Sequence, residues 1–217
     1  MRDFMTIWLA GLVVCGVAAN AAERTDSVSA FEKLEASRGL KVELVCGDTP
    51  SVALSGPARE VEDTKTSVSG KTLKIERSSS FTNNNGKGEV RAKVTISKPL
   101  DSIAVSTGID LTAPSCAVSN DHLDLTASTG ADIKIAAKVN RLMVDASTGT
   151  DIKPLPGERI DAQETKVHAS TGSDIKLCKA GKLTGSLALG ASLTIESADS
   201  RDVSTMLGAD IRTRDCH

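Results

Sequence analysis

Apolar and polar residues alternate along most of this chain, and a glycine interrupts the alternation at regular intervals. In the clearest segment, Leu123 to Ile135, every second residue is apolar as far as Ala127 and again from Ala131 onward, with Gly130 between them. Alternation with a period of two indicates a β-strand that buries one face. The segment is therefore predicted to be a strand, a tight corner and a second strand.

The same unit recurs through the second half of the chain at steps of 22, 19, 23, 18 and 18 residues. Four copies read Ser-Thr-Gly-x-Asp and two are degenerate Leu-Gly-Ala copies, with their glycines at Gly108, Gly130, Gly149, Gly172, Gly190 and Gly208. One unit cannot bury its apolar face alone, so the copies must stack with equivalent strands about 4.8 Å apart. We predict an all-β fold, a right-handed parallel β-helix (β-solenoid) with coils of about 18–23 residues.

An antiparallel sandwich is the alternative, since it also has frequent turns. It gives no reason for one motif to recur in register at the interval of a whole coil. The glycine belongs at the corner, where a positive φ or a close backbone approach excludes a Cβ atom.

The first half has the same strand pattern with a weaker repeat. Val90 to Ile96 alternate and end before Pro99, Pro57 to Lys65 are predicted to form a helical turn, and Phe81 to Gly88 form a polar loop. We expect an N-terminal cap and first irregular coils over residues 22–100. Regular repeats follow over residues 101–217, in a single domain with 22–100.

Residues 1–21 are predicted to be a signal peptide. Arg2 precedes an apolar run from Ile7 to Ala19, and Ala19-Asn20-Ala21 has the form of a cleavage site. The run is too short for a membrane-spanning helix, and no transmembrane segment is expected after cleavage. A lipoprotein signal ending at Cys15 is the alternative, but Val14 occupies a position that such signals reserve for a small residue.

Four cysteines remain after cleavage, and in an exported chain they permit two disulfides with three connectivities. The four are Cys46, Cys116, Cys178 and Cys216. We favour pairing Cys178 with Cys216, because Cys216 follows the last repeat and can fold back over it. Their spacing matches no zinc motif, and Cys216-His217 with His122 and His168 is a weak alternative ligand set, so no metal and no cofactor are expected.

The composition argues against several classes of function. The formal net charge of −2 lacks the basic footprint of a nucleic-acid-binding protein. After cleavage Phe31 and Phe81 are the remaining aromatic residues, so platforms for sugar rings are missing. The charges are spread evenly, and no Ser/His/Asp grouping, phosphate loop or Cys-x-x-Cys motif is present. We therefore predict a protein that is not an enzyme, with a polysaccharide-acting β-helix enzyme as the alternative.

Stacking in register would align carboxylates from successive coils, namely Asp110, Asp132, Asp151, Asp174 and Asp210, with Ser192 interrupting the file. Two charges at strand spacing repel by roughly 0.9 kcal/mol in water. Lys134, Lys153 and Lys176 stand two residues further on and can offset this repulsion. The file is interpreted as a charge-balanced edge that holds the register. The alternative is a ladder that binds cations or a polymeric ligand. The threonines that precede the corner glycines also form a file, and flat threonine arrays on solenoids can order water. Such an array needs two threonines per coil, and this repeat supplies one.

The residues also resemble a known family. Phe31-Glu32-Lys33-Leu34, Leu73-Lys74-Ile75, the segment Val94 to Leu100 and the ladder of Ser/Thr-Gly-x-Asp-Ile motifs are similar to the head GIN domain of autotransporter adhesins. The resemblance implies a β-helix exported by Gram-negative bacteria. It brings no catalytic residues to transfer.

We thus predict an exported, non-catalytic β-solenoid interaction module, either an adhesin head or an envelope-associated binding or structural protein. A periplasmic role in envelope maintenance or sensing is an alternative. The expected partner is an envelope protein or a polymer such as a glycan, and terminal coils offer edges for oligomerisation. The protein is expected in the periplasm, at the outer membrane or outside the cell.

The charge-balanced interpretation predicts a flat calorimetric trace when refolded protein is titrated with calcium. A calcium site needs about six to eight oxygen ligands, and calcium-binding coils have a second glycine corner that this repeat lacks. Saturable heat together with a higher melting temperature would instead support the ion-binding ladder.

Overall fold

The structure is a computed structural model that describes residues 21–78 and 88–216. The described part of the first half contains β1 (Ala21–Ser27), β2 (Lys33–Ser37), β3 (Leu40–Cys46), β4 (Ser51–Pro57), α1 (Ala58–Glu62), β5 (Thr64–Ser69), β6 (Thr72–Arg77) and β7 (Val90–Ile96). The second half contains β8 (Ser102–Ser106), β9 (Asp110–Ala113), a short 3₁₀ helix (Ser115–Ala117), β10 (His122–Ser128), β11 (Asp132–Ile135), β12 (Ala137–Ser147), β13 (Asp151–Pro154), β14 (Ile160–Ser170), β15 (Asp174–Lys179), β16 (Lys182–Leu187), β17 (Ser192–Ser197), β18 (Ser200–Thr205) and β19 (Asp210–Thr213).

Each coil contributes one strand to each of two faces. The first face stacks β6, β2, β8, β10, β12, β14, β16 and β18 in parallel. The second face stacks β7, β3, β9, β11, β13, β15, β17 and β19, also in parallel. Equivalent residues pair in register, as Ile133 does with Ile152. The prediction of a β-solenoid is confirmed.

The corner between the two faces uses two consecutive left-handed residues. In the best copy Thr129 has φ 54° and Gly130 has φ 70°, and the same pair of positive values recurs at the other corners that the structure describes, from Arg38-Gly39 to Leu207-Gly208. The N–H of each corner glycine but the last donates to the carbonyl of the residue before the glycine in the next coil, at 2.9 to 3.1 Å. The positive φ predicted for the glycine is confirmed. The threonine's positive φ was not foreseen, and it costs about 1 kcal/mol or more for a residue with a Cβ.

A short third face closes the coil where the longest strands bend. Asn140 and Arg141 are both exposed, which breaks the alternation within β12, and Gln163 and Glu164 do the same within β14. Before this bend Ala137 pairs with Ile160, and after it the two strands join the first face. Two successive outward residues therefore turn the chain without ending the strand.

The space between the faces holds one continuous aliphatic core. Its members are valine, leucine, isoleucine and alanine, with Phe31 at the N-terminal end. On β10 the inward residues Leu123, Leu125 and Ala127 are at most 1 % exposed. The alternation of the sequence corresponds directly to the inner and outer sides of the wall, as predicted.

The chain does not lay down its first coils in sequence order. The coil of β2 and β3 lies between the coil of β6 and β7 on one side and the coil of β8 and β9 on the other. Leu34, for example, pairs in register with both Leu73 and Ile103. The earliest coil is thus completed only by residues that follow much later in the chain.

An antiparallel cap covers the N-terminal end. On the second face β4 pairs with β7 and β1 pairs with β4, and on the first face β5 pairs with β6. The predicted helical turn is α1, which begins after Pro57 and buries Val61. Arg24 on β1 donates to the carbonyls of Val61 and Thr64, so it links the cap strands across the end of the core.

Two disulfides link different coils of the solenoid covalently. Cys46, at the end of β3, pairs with Cys116 in the 3₁₀ helix, with 6.3 Å between their Cα atoms. Cys178, at β15, pairs with Cys216, with 5.2 Å between their Cα atoms. The second bridge is the pairing favoured from the sequence, and it ties the segment after the last coil back to an earlier one.

Some predictions fall outside the described residues. They are the signal peptide before Ala21 with its alternative at Cys15, the polar loop from Phe81 to Gly88 except its last residue, and the ligand pair that includes His217. Within the described residues no helix has the length and apolar character needed to cross a membrane.

The left-handed threonines predict an unusual stability effect. Thr129→Asn is expected to raise the free energy of unfolding by about 0.5 kcal/mol, because asparagine tolerates this conformation better than a β-branched residue. Gly130→Ala is expected to lower it by about 1 kcal/mol or more. Urea denaturation of the oxidised protein measures both changes.

Thr126→Asn provides the matched control, since Thr126 is exposed on β10 with extended backbone, a conformation in which asparagine is less favourable than threonine. A gain at both threonine positions, or at neither, would contradict the assignment of strain to the corner.

Candidate functional site

The predicted file of aspartates exists on the outside of the second face. Each carboxylate pairs in register with the next along the stack, and Ser192 occupies its place in one coil, so the order is Asp110, Asp132, Asp151, Asp174, Ser192 and Asp210. A register of identical residues brings like charges to strand spacing, which is unfavourable unless cations lie nearby.

Lysines offset part of this charge. Lys134 Nζ lies 3.7 Å from Asp132 Oδ2, and Lys153 Nζ lies 3.6 Å from the same oxygen and also contacts Asp151. The hydrogen bond to Asp151 is the main reason why the pKa of Lys153 is raised, although partial burial opposes the shift. The charge balance predicted from the sequence is therefore found in the middle of the file.

Asp174 is the exception. Partial burial raises the pKa of its carboxyl, and the neighbouring charge of Asp151 raises it further, while Arg212 and Lys153 oppose the shift from a distance. Lys176 stands two residues further along the strand, but it forms no ion pair among the described residues. The surroundings of Asp174 thus disfavour the charged form of its carboxyl.

The file does not form a ready-made metal cluster within residues 21–78 and 88–216, where no group of three or more His, Cys, Asp or Glu side chains has a suitable arrangement. One carboxylate oxygen, Asp132 Oδ1, is buried and accepts no hydrogen bond within that part of the chain. The role of the five aspartates as a ligand or cation ladder stays a prediction.

A second candidate lies on the outside of the first face, where four successive strands line a cleft of about 540 Å³. Its ionisable lining residues are His122, Asp124, Arg141, Glu164, Lys166 and Lys182. The outward residues of the cleft form two rows across the strands, in which neighbours are register partners. The first row is His122, Arg141, Glu164 and Lys182, and the second row is Asp124, Met143, Lys166 and Thr184.

The cleft combines charge with an apolar floor. Arg141, Lys166 and Lys182 supply three positive charges against the two negative charges of Asp124 and Glu164. Met143 lies between Asp124 and Lys166 in the second row and is 36 % exposed. Such a surface can donate and accept ionic hydrogen bonds along several coils at once.

A smaller groove of about 310 Å³ lies on the same face toward the N-terminal end. Glu35, Lys74 and Glu76 line it together with Ser106 and Thr126 from later coils. The first face thus offers polar depressions along much of its length. Sequence reasoning missed them, because outward residues of the first face differ from copy to copy and become neighbours only through the register.

Comparison with known proteins identifies a family that this chain matches over most of its length. A model of the family described as "Putative auto-transporter adhesin, head GIN domain" matches residues 30–214. Among curated proteins, none matches this chain.

Two solved structures share the fold. A "putative adhesin" from Bacteroides fragilis has 15% sequence identity and a TM-score of 0.66, with 91% of this chain and 98% of that chain covered. A "putative lipid binding protein" from Parabacteroides distasonis has 14% identity and a TM-score of 0.53, with 90% and 97% covered. At these identities the likeness concerns the fold alone.

The raised pKa of Asp174 predicts a pH-dependent gain from its removal. A carboxyl whose folded pKa is raised contributes stability below its unfolded pKa of about 3.8 and loses that contribution as pH rises through the folded value. Asp174→Asn is therefore expected to stabilise the protein at pH 7 by about 0.5 kcal/mol, with the gain vanishing below pH of about 4.

Asp132→Asn is the control, because two lysines already contact this carboxylate, and no gain is expected. Urea unfolding at several pH values measures both variants. A gain for Asp174→Asn that is equal at pH 7 and pH 3.5 would show that charge is not its cause.

Proposed function

Because the chain belongs to the head GIN domain family of auto-transporter adhesins, we propose that it is an exported, non-catalytic module that binds an extended polymer or an envelope protein along its first face. The two disulfides support an oxidising, extracytoplasmic location. The family description supports adhesion as the biological setting, with an envelope-associated binding or structural role as the second reading.

The observation that carries the proposal is the cleft shared by β10, β12, β14 and β16. Its two rows of side chains come from four coils, so a ligand that fills it must contact several repeats together. Repetition along the stack suits a long ligand better than a small molecule, because a stiff solenoid presents an extended surface. The smaller groove adds to that surface on the same face.

The chemistry of the cleft favours a polar ligand that carries both charges or a net negative charge. The cleft has one more positive than negative side chain, since it is lined by Arg141, Lys166 and Lys182 against Asp124 and Glu164. Aromatic stacking on a sugar ring is not part of this lining, so recognition rests on ionic and hydrogen-bonded contacts around Met143. Such contacts weaken with salt, which gives the proposal a measurable signature.

The experiment measures binding of the mature, oxidised protein to immobilised peptidoglycan, lipopolysaccharide, a glycan panel and extracellular matrix proteins. Saturable, salt-sensitive binding to at least one of them is expected. The double charge reversal Lys166→Glu/Lys182→Glu is expected to weaken that binding by about tenfold or more.

The matched control is Lys41→Glu/Lys93→Glu, which reverses two exposed lysines on the second face. This control is expected to bind like the unmodified protein. Equal loss in both double variants would indicate a non-specific charge effect, and no binding to any probe would overturn the proposal.

A further inference from the structure

The C-terminal end of the solenoid is an open edge in the described part of the chain. Strands β18 and β19 pair only with β16 and β17, so the backbone groups on their other sides have no strand partner. At the corner, the N–H of Gly190 donates to the carbonyl of Leu207 at 3.1 Å, whereas the N–H of Gly208 meets no equivalent carbonyl among the described residues. An unpaired edge of this kind is a template for another chain.

Exposed apolar residues concentrate at the same corner. Leu189, Met206 and Leu207 are 52 %, 57 % and 74 % exposed, and Met143, at 36 %, is the one other exposed large hydrophobic residue that the structure describes. Leu189 and Leu207 also have φ values of 52° and 53°, a strained conformation for a leucine. Their exposure leaves little packing to offset this strain, so the patch they form with Met206 is better explained as a contact surface.

At the end of β18 that lies away from the corner, a charged residue protects the edge against pairing with another strand. Arg201 occupies an inward position, and its Nη2 donates to Thr213 Oγ1 at 3.1 Å across the end of the core. An inward charge discourages the addition of a further coil. Nearer the corner, Val203, Ala209 and Ile211 are only partly buried. The accessible apolar surface therefore begins at the corner and ends before Arg201.

We propose that this edge binds a second copy of the chain, end to end, around a two-fold axis that passes beside Leu207. A rotation about an axis perpendicular to the stack exchanges the two faces, so β18 of one copy runs antiparallel to β19 of the other. Among the registers that keep inward residues inward, the one centred on Leu207 places Val203 opposite Ile211 of the second copy. Leu207 of each copy then lies beside the axis, close to its equivalent in the other copy.

The same register gives complementary charges. Asp202 faces Arg212 of the second copy, and the symmetry repeats this pair. Asp202 is exposed and forms no ion pair within the described part of its own chain, and Arg212 is 53 % exposed and already bonded to Asp210 at 2.5 Å. A single guanidinium can donate hydrogen bonds to both carboxylates, because it carries several N–H groups.

Sedimentation velocity of the mature, oxidised protein from about 1 to 200 μM tests the proposal, and a reversible dimer is expected. Asp202→Arg alone and Arg212→Asp alone are each expected to weaken the dimer by about tenfold or more, because each places like charges together twice. An equimolar mixture of the two variants is expected to dimerise again, since the mixed dimer restores opposite charges across both strand pairs.

Leu207→Asn is a second variant that keeps the test independent of folding. It is expected to weaken the dimer while leaving the monomer at least as stable, because asparagine tolerates the left-handed conformation. Lys93→Glu, on β7 near the other end of the stack, is the control and should dimerise normally. A monomer at every concentration, a dimer indifferent to the charge reversals, or a mixture that stays monomeric would overturn the proposal.

Discussion

Stacking in register is the constraint on which this protein depends. Each strand hydrogen-bonds to its equivalent in the next coil. The N–H of each corner glycine but the last donates to the carbonyl of the left-handed residue that precedes the glycine of the next coil. This corner ladder carries a cost, since threonine, leucine or arginine precedes the glycine with a positive φ at each corner that the structure describes. The strain persists because two continuous faces meet there and fix the backbone from both sides.

The same register determines what the surfaces can do. On the second face the repeat superposes identical residues, so aspartates align and must be offset by lysines, as Lys153 does for Asp132 and Asp151. On the first face the outward residues vary from coil to coil, and alignment produces a cleft of mixed charge around Met143. Repetition therefore maintains the framework, while the recognition surface lies where the repeat is broken.

The two ends of the solenoid are treated differently. At the N-terminal end, antiparallel strands, a helical turn and the hydrogen bonds of Arg24 cover the core. Asp26 in this cap has a lowered pKa: burial opposes the shift, but hydrogen bonds from Thr66 and Arg24 outweigh it. At the C-terminal end the disulfide of Cys178 and Cys216 ties the last segment back, but the outer edges of β18 and β19 have no strand partner among residues 21–78 and 88–216. The module thus has one closed end and one end suited to contact.

The sequence by itself determined the solenoid, the corner glycines, the aspartate file and the helical turn after Pro57, because each follows from local periodicity or from a motif repeated at the length of a coil. Tertiary structure alone decided the insertion of the β2–β3 coil between two later ones, since pairing partners such as Leu34 and Ile103 are chosen by the whole sheet. It also decided that threonine shares the left-handed corner, and that Arg141 and Lys166 face one cleft. Those features arise from neighbours brought together across coils, and a one-dimensional pattern carries no record of which coil lies beside which.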